Sequence, residues 1–269
     1  YMTVTGYSVL DGVAAPNAGF VLVVFDPWDE RGKAESQEAI IGTLNQQMWG
    51  LQDGMGMAFP MPSLPGIGIS AGFTVMLQDR GGVGLETLQN VGEEFVEDGN
   101  AQSGLTGVYS PFRANVPQIF LDIDREQILS KGLSMSQIFG ALQTFLGSTY
   151  INDLTLFNRS FQVRAQAERS YRAKNNDILA LEVPHPNGKM VPLGAVLSIT
   201  EILGPQSITR FNMYPSMKVM GQPAEGYSSG EAMGLVADMA DKKLPASIGY
   251  AWTDLSFQEQ LASGSTNVI

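Results

Sequence analysis

The chain has 269 residues, of which 44% are hydrophobic, so it is long enough for two domains or several small subdomains with packed cores. Its 27 Asp and Glu outnumber its 16 Lys and Arg, and the resulting net charge of −11 argues against nucleic-acid binding, because phosphates would be repelled. The lack of cysteine excludes disulfides and thiolate metal sites, and no stretch approaches the ~20 apolar residues that cross a bilayer.

The first third of the chain begins with a predicted strand at residues 2–9 and a loop at 12–19. Residues 20–25 are β-branched, aromatic or leucine, which predicts a strand buried on both faces. Pro27 ends it, because proline fixes φ and cannot donate to a ladder. The apolar residues of 36–49 recur with a helical period and predict a helix.

Residues 50–72 are rich in glycine and proline, yet too apolar for a flexible linker. This composition predicts a buried or pocket-lining strand and loop. A strand at 73–77 and an amphipathic helix at 85–96 follow.

Two helix starts near the middle of the chain are predicted to carry side-chain caps. Asp124 is placed to cap a short helix after the strand at 117–123, and Ser134 with Gln137 forms a capping box for the next helix. The remaining predicted elements are a hairpin turning at 186–188, a strand at 217–221, a helix that begins with a capping box of Ser228 and Glu231 and runs to about 243, a strand at 248–252 and a last helix from 256.

This order predicts an α+β fold. It reads as two ferredoxin-like split βαβ units, with an α+β domain inserted in the second. The first unit lacks an opening strand and helix, so its domain is expected to begin upstream of Tyr1.

Catalytic patterns are sparse. Asp122 and Asp124 share a strand face, where they either hold Mg²⁺ or Ca²⁺ or serve as a helix cap and an ion-pair partner. His185 is the only histidine, and no triad or zinc set can be assembled around it. We therefore predict no enzyme, no catalytic residue, no resident metal and no cofactor.

Methionine is unusually frequent, with 13 residues in the chain. Met55, Met57 and Met61 form one group; Met213, Met217 and Met220 form another. Thioethers can bind Cu(I), can line an adaptable apolar pocket, or can simply fill a core. Nearby aromatic residues favour a small-molecule pocket without excluding the others.

The whole chain resembles the second periplasmic loop of resistance-nodulation-division multidrug efflux pumps, hydrophobe/amphiphile branch. Met57-Ala58-Phe59-Pro60-Met61-Pro62 is similar to the aromatic-Ala-Phe-x-x-Pro segment of these pumps, and Asp122-Ile123-Asp124-Arg125 to the opening of their funnel (docking) domain. Tyr250-Ala251-Trp252-Thr253-Asp254 follows in the family's order. Their glycine-rich switch loop falls on Gly6, Tyr7, Ser8, Val9, Leu10, Asp11 and Gly12.

The resemblance implies three regions. Residues 1–68 would form an incomplete first porter subdomain, 69–116 with 204–262 a second porter subdomain, and 117–203 an inserted funnel domain. It further implies a homotrimer on the periplasmic side of the inner membrane of a Gram-negative bacterium, docked to a periplasmic adaptor and an outer-membrane channel.

The resemblance also implies two drug pockets. The deep pocket would draw on Met2, Val4, Tyr7, Val9 and Leu22. The access pocket would draw on Met57, Phe59, Met61, Ile67, Ile69, Tyr109, Lys218 and Met220.

Some of these residues depart from the family pattern. Phenylalanine is common in the family where this chain has Met2, Val9, Leu22 and Met57, and glycine where it has Ser8. Tyr109 and Lys218 replace a basic and an acidic side chain.

The function implied is capture of amphiphilic or hydrophobic compounds and their transfer toward an outer-membrane channel, driven by protons. Two alternatives stay open: Cu or Ag efflux through the methionines, and a periplasmic scaffold or adaptor domain without a ligand.

Overall fold

The computed structural model describes residues 1–32, 35–48, 50–52, 54–61 and 72–265. The predicted site residues Ile67 and Ile69 therefore lie outside the described residues. The chain divides into two compact units, the first comprising Tyr1–Val116 with Gly204–Ile269 and the second Pro117–Leu203. Helices and small antiparallel sheets are mixed along the chain, which confirms the predicted α+β class.

The helices and strands follow one another along the chain. They are β1 (Met2–Ser8), β2 (Val13–Leu22), α1 (Gln37–Met48), β3 (Phe73–Asp79), α2 (Leu85–Asn100), β4 (Leu105–Tyr109), β5 (Val116–Ile123), α3 (Arg125–Ser130), α4 (Met135–Leu142), β6 (Thr149–Leu156), β7 (Arg159–Ala165), α5 (Asn175–Ala180), β8 (Glu182–Pro184), β9 (Met190–Pro192), β10 (Leu197–Gly204), β11 (Arg210–Phe211), β12 (Tyr214–Pro223), α6 (Ser229–Lys243), β13 (Ile248–Trp252) and α7 (Asp254–Ser265).

The first unit opens with an antiparallel two-stranded ribbon of β1 and β2. The predicted loop at 12–19 is wrong, because most of it belongs to β2. The prediction that residues 20–25 are buried on both faces is also wrong, since Val21, Val23 and Val24 are exposed. A two-stranded ribbon covers few of its own side chains, and an apolar run does not reveal whether a second layer lies over it.

The main sheet of the first unit has five strands, in the order β11-β12-β3-β13, with β4 also paired to β12. The pairs are antiparallel. The two connections β3-α2-β4 and β12-α6-β13 supply four strands; the ferredoxin-like description remains our interpretation of that arrangement. All seven residues of β3 are buried. Other strands flank both of its edges, and the helices α2, α6 and α7 contact it, with the Thr74 N–H donating to Ser256 Oγ of α7. The core under the helices contains Val75, Leu77, Leu88, Phe95, Val219 and Val236.

The second unit has its own apolar core, which includes Ile128, Ile138, Val183 and Leu193. The two predicted helix caps are confirmed: Asp124 accepts from the Gln127 N–H, and Ser134 with Gln137 forms a capping box. The hairpin predicted to turn at 186–188 is confirmed by the pairing of β8 with β9.

His185 lies at the base of that turn and is half-buried. Its Nε2 lies 2.6 Å from the Lys131 carbonyl oxygen, and its Nδ1 accepts from the Asn187 N–H at 3.1 Å. The imidazole therefore joins the β8–β9 turn to the end of α3, which is a structural role.

Candidate functional site

The first group of predicted site residues lies on one face of the β1–β2 ribbon. Met2 pairs with Leu22, and Val4 pairs with Phe20, so alternation places these four side chains on the same face. The Tyr7 ring meets the Phe20 ring edge-on, with centroids 6.4 Å apart. We call this surface the ribbon face; it is apolar and only partly covered.

Phe20 belongs to the ribbon face but was not predicted as a site residue. The strand register, which pairs Val4 with Phe20, assigns it to this face, and that register cannot be read from the sequence. Val9 follows the end of β1 and is half-buried, and the strand register does not assign it to the ribbon face.

The segment predicted as a switch loop, residues 6–12, comprises the last three residues of β1 and the tight turn that follows them. Gly6 has φ of +78°, which only glycine adopts without strain, and it coincides with the break in register between Thr5 and Tyr7. Ser8 Oγ donates to Asp11 Oδ2 at 2.6 Å, and the Gly12 N–H donates to the Ser8 carbonyl at 2.9 Å. The serine that departs from the family pattern therefore cross-links the turn.

The second group lies in an extended segment, residues 54–61, which we call the methionine segment. Within it Met57 and Met61 are exposed, at 37% and 68% of their full surface, and Phe59 is half-buried. The segment has neither helix nor strand. Large, flexible apolar side chains are thus presented to solvent, which is unusual outside an interface or a ligand site.

The third group lies on the face of the main sheet opposite the helices. Tyr109 pairs with Met220, and Lys218 is two residues before Met220 on the same face. The Tyr109 hydroxyl donates to Met220 Sδ at 3.7 Å. Met220 is only 2% exposed, whereas Tyr109 and Lys218 are half-exposed, so a ligand at this face would first meet the phenol and the ammonium group.

A concavity of about 770 Å³ in the first unit lies elsewhere. It lies at the junction of β11, β13 and α7, and its lining includes Phe211, Tyr250, Trp252 and Phe257. None of the residues that line it was predicted as a site residue. The three groups of predicted residues are therefore surfaces of the ribbon, the methionine segment and the sheet, and this hollow does not join them.

In the part of the chain that the structure describes, few polar side chains are arranged for catalysis or metal binding. Asp124 acts as a helix cap, and no three His, Asp or Glu side chains of the described residues converge in a way that would hold a metal ion. Among these same residues, no helix combines the length and the apolarity that a membrane span requires.

Each of the three surfaces presents thioether, aromatic or aliphatic side chains, and the sheet face adds the Tyr109 hydroxyl and the Lys218 ammonium group. Such a set can hold apolar or amphiphilic molecules by contact, with the few polar groups orienting them. The fold and these surfaces define an α+β domain that presents apolar, methionine-rich surfaces.

Comparison with known proteins identifies the family. The family described as AcrB/AcrD/AcrF matches residues 1–269. The chain is 34% identical over 262 residues to the multidrug export protein AcrF of Escherichia coli K12, covering 97% of this chain and 25% of AcrF. It is 36% identical over 250 residues to the multidrug/solvent efflux pump membrane transporter MepB of Pseudomonas putida, covering 93% of this chain and 24% of MepB.

A third relative, the multidrug resistance protein MdtF of Escherichia coli K12, is 31% identical over 249 residues, covering 92% of this chain and 24% of MdtF. The chain thus spans about a quarter of the length of the curated relatives it matches. It belongs to the AcrB/AcrD/AcrF family of resistance-nodulation-division multidrug efflux transporters. AcrF and MepB are named as export or efflux proteins, not as enzymes.

Proposed function

We propose that this chain is the periplasmic substrate-binding and docking portion of a proton-driven multidrug efflux transporter. It captures amphiphilic and hydrophobic compounds and passes them toward an outer-membrane channel. The observation that carries this proposal is the exposure of the ribbon face and the methionine segment in a member of an efflux family. The names of AcrF and MepB, which refer to multidrug export and solvent efflux, support it.

The proposed division of labour follows the predicted regions. Residues 1–68 and 69–116 with 204–262 act as porter subdomains that bind substrate, and 117–203 acts as the funnel domain. We assign the intact protein to the periplasmic side of the inner membrane, as a homotrimer with an adaptor and an outer-membrane channel.

The docking role is supported by a ribbon in the second unit. Among the described strands, β6 and β7 pair only with each other, and their side chains along one face are exposed. The apolar members of that face are Leu154, Leu156, Phe161 and Val163. Phe157 is in the two-residue turn at the tip, where φ of +50° is what the turn geometry requires, and its ring is 93% exposed, which suits a contact surface.

The test of substrate binding uses the intact transporter in a host that lacks its own pumps. We expect Tyr7→Ala and Phe59→Ala each to lower protection against apolar dyes about fivefold, because each removes an aromatic contact. Inhibitory concentrations of Nile red and N-phenylnaphthylamine, at matched protein levels, provide the measurement.

Val21→Ala is the matched control. Val21 is exposed on the same ribbon but pairs with Thr3 on the opposite face, so its truncation should leave protection unchanged. If neither aromatic substitution changes resistance to any compound, the scaffold alternative is favoured. Resistance to silver that depends on Met55 and Met57 would instead favour metal efflux.

Lys218 should bias the site against cations. It is half-exposed beside Tyr109, on the sheet face that we assign to the access pocket. We expect Lys218→Glu to raise protection against ethidium roughly fivefold relative to a neutral dye, because reversing one charge near a bound cation changes repulsion to attraction.

The control for Lys218→Glu is Lys242→Glu, which makes the same charge change on the exposed surface of α6. Equal responses of the two variants would mean that the total charge of the protein, and not this face, selects the substrate.

A further inference from the structure

The Asn45 side chain in α1 is hydrogen-bonded to the methionine segment. Asn45 Nδ2 donates to the Ala58 carbonyl oxygen at 3.0 Å, and Asn45 Oδ1 accepts from the Ala58 N–H at 2.7 Å. A carboxamide that satisfies both backbone groups of one residue replaces the strand partner that an extended chain normally has. These are the hydrogen bonds that connect residues 54–61 to the rest of the described chain.

A second contact lies one helical turn away. An added Cβ at Gly56 would lie 2.6 Å from Met48 Sδ, so the Met48 side chain lies directly over the Gly56 backbone. Asn45 and Met48 are three residues apart in α1 and share a helix face. Since Met48 contacts Gly56 and Asn45 contacts Ala58, the segment runs antiparallel to the helix.

This attachment determines what the segment exposes. Gly56 and Ala58 are half-buried against α1, whereas Met55 and Met57 are exposed, at 75% and 37%. Glycine at 54 and 56 would otherwise leave the backbone free to turn. The helix therefore fixes the backbone while the long side chains keep their own freedom.

Asparagine has no local reason to lie in this helix. It is among the poorer helix formers, and Asn45 is far from the N-terminus of Gln37–Met48, where its side chain would cap. Its bidentate contact with Ala58 is the interaction that the structure gives it.

We propose that Asn45 is a positioning residue for the substrate site. By holding Ala58 on α1, it sets the depth and direction from which Met57 and Phe59 meet a ligand, and so it selects which compounds bind. This inference rests on the proposed function, because it assigns the methionine segment to the substrate site.

The test compares two substitutions in the intact transporter. Asn45→Asp keeps the size of the side chain but loses the donor to the Ala58 carbonyl and places a carboxylate oxygen against it. Gln46→Ala, at the neighbouring exposed position of α1, is the matched control. We expect Asn45→Asp to lower protection roughly tenfold for the compounds that Phe59→Ala also affects, and to leave the other compounds unchanged.

Two readouts separate positioning from a general loss of stability. In a Phe59→Ala background, Asn45→Asp should cause no additional loss, because both changes act on the same contact. In addition, a thiol at Met57→Cys should react with a maleimide several-fold faster in Asn45→Asp than in Gln46→Ala.

The outcomes are distinguishable. Loss of protection against every compound equally, or an unchanged labelling rate in a pump that still exports, overturns the inference while the proposed function stands. A wild-type transporter that protects against none of the compounds overturns the proposed function and, with it, the role of Asn45 in selection.

Discussion

Gly92→Ala is expected to destabilise the first unit by about 2 kcal/mol, although alanine is a better helix former than glycine. Gly92 lies within α2 over the sheet, and an added Cβ would lie 2.1 Å from Met217 Sδ. Met217 is fully buried in the core. Displacing it costs more than the ~1 kcal/mol that alanine contributes to a helix.

The matched control is Gly234→Ala in α6, where an added Cβ meets no atom within 4 Å. This exposed change should stabilise the protein by ~0.5–1 kcal/mol. Urea unfolding of the chain, followed through the buried Trp252, measures both variants. Similar stabilisation by the two alanines would show that the close packing of α2 on Met217 is not an energetic constraint.

A double variant strengthens the test. Met217→Ala alone should cost about 3 kcal/mol, because it leaves a cavity under α2. With Gly92→Ala added, the new methyl group occupies part of that cavity, so the combined cost should be smaller than the sum of the two.

Local signals were sufficient for much of the fold. The caps at Asp124, Ser134 and Ser228 depend on residues three apart in sequence, and all three are present as predicted. The strand predicted at 248–252 has the same bounds in the structure. The last helix begins at Asp254, two residues before the predicted start. Asp254 has φ of +54°, and no side-chain pattern in the sequence marks a helix start there.

The candidate site was less accessible to sequence reasoning, because it depends on register and on distant partners. Strict alternation along β1 would place the Tyr7 side chain on the other face of the ribbon from Met2 and Val4. The irregularity between Thr5 and Tyr7, at a glycine with positive φ, brings the Tyr7 ring to Phe20 instead. A glycine signals that such a break is allowed, but not that it occurs.

Asn45 illustrates the same limit. It lies 13 residues before Ala58, and nothing in the sequence links a polar residue of a helix to an extended segment that follows it. The assignment of residues to drug pockets, and of the regions to porter and funnel domains, stays a prediction of the family resemblance.

Asp79→Asn is expected to destabilise the first unit by about 3 kcal/mol at neutral pH, because each lost hydrogen bond to a charged acceptor contributes ~1.5–3 kcal/mol. Asp79 ends β3 and is 5% exposed. Its Oδ1 accepts from the Val83 N–H at 2.9 Å and its Oδ2 from the Gly84 N–H at 3.0 Å. An asparagine amide would turn a donor toward one of these N–H groups and leave it unpaired.

The same contacts make the stability depend on pH. Burial is the largest single influence and raises the pKa of Asp79, but the backbone hydrogen bonds of Val83, Gly84, Gly82 and Gly81 together lower the pKa below its ordinary value of 3.8. The folded state therefore binds this proton more weakly than the unfolded state. The stabilisation is complete above pH 3.8 and is lost as the pH falls through the lower folded pKa.

Urea unfolding at several pH values tests this expectation. The gap in unfolding free energy between wild type and Asp79→Asn should be constant near neutral pH and should narrow below pH 3.8. Asp238→Asn, on the exposed face of α6 beside Lys242, is the control and should cost less than ~0.5 kcal/mol. A gap that stays constant into acid would mean that Asp79 acts through its shape, since only a charged acceptor loses its advantage on protonation.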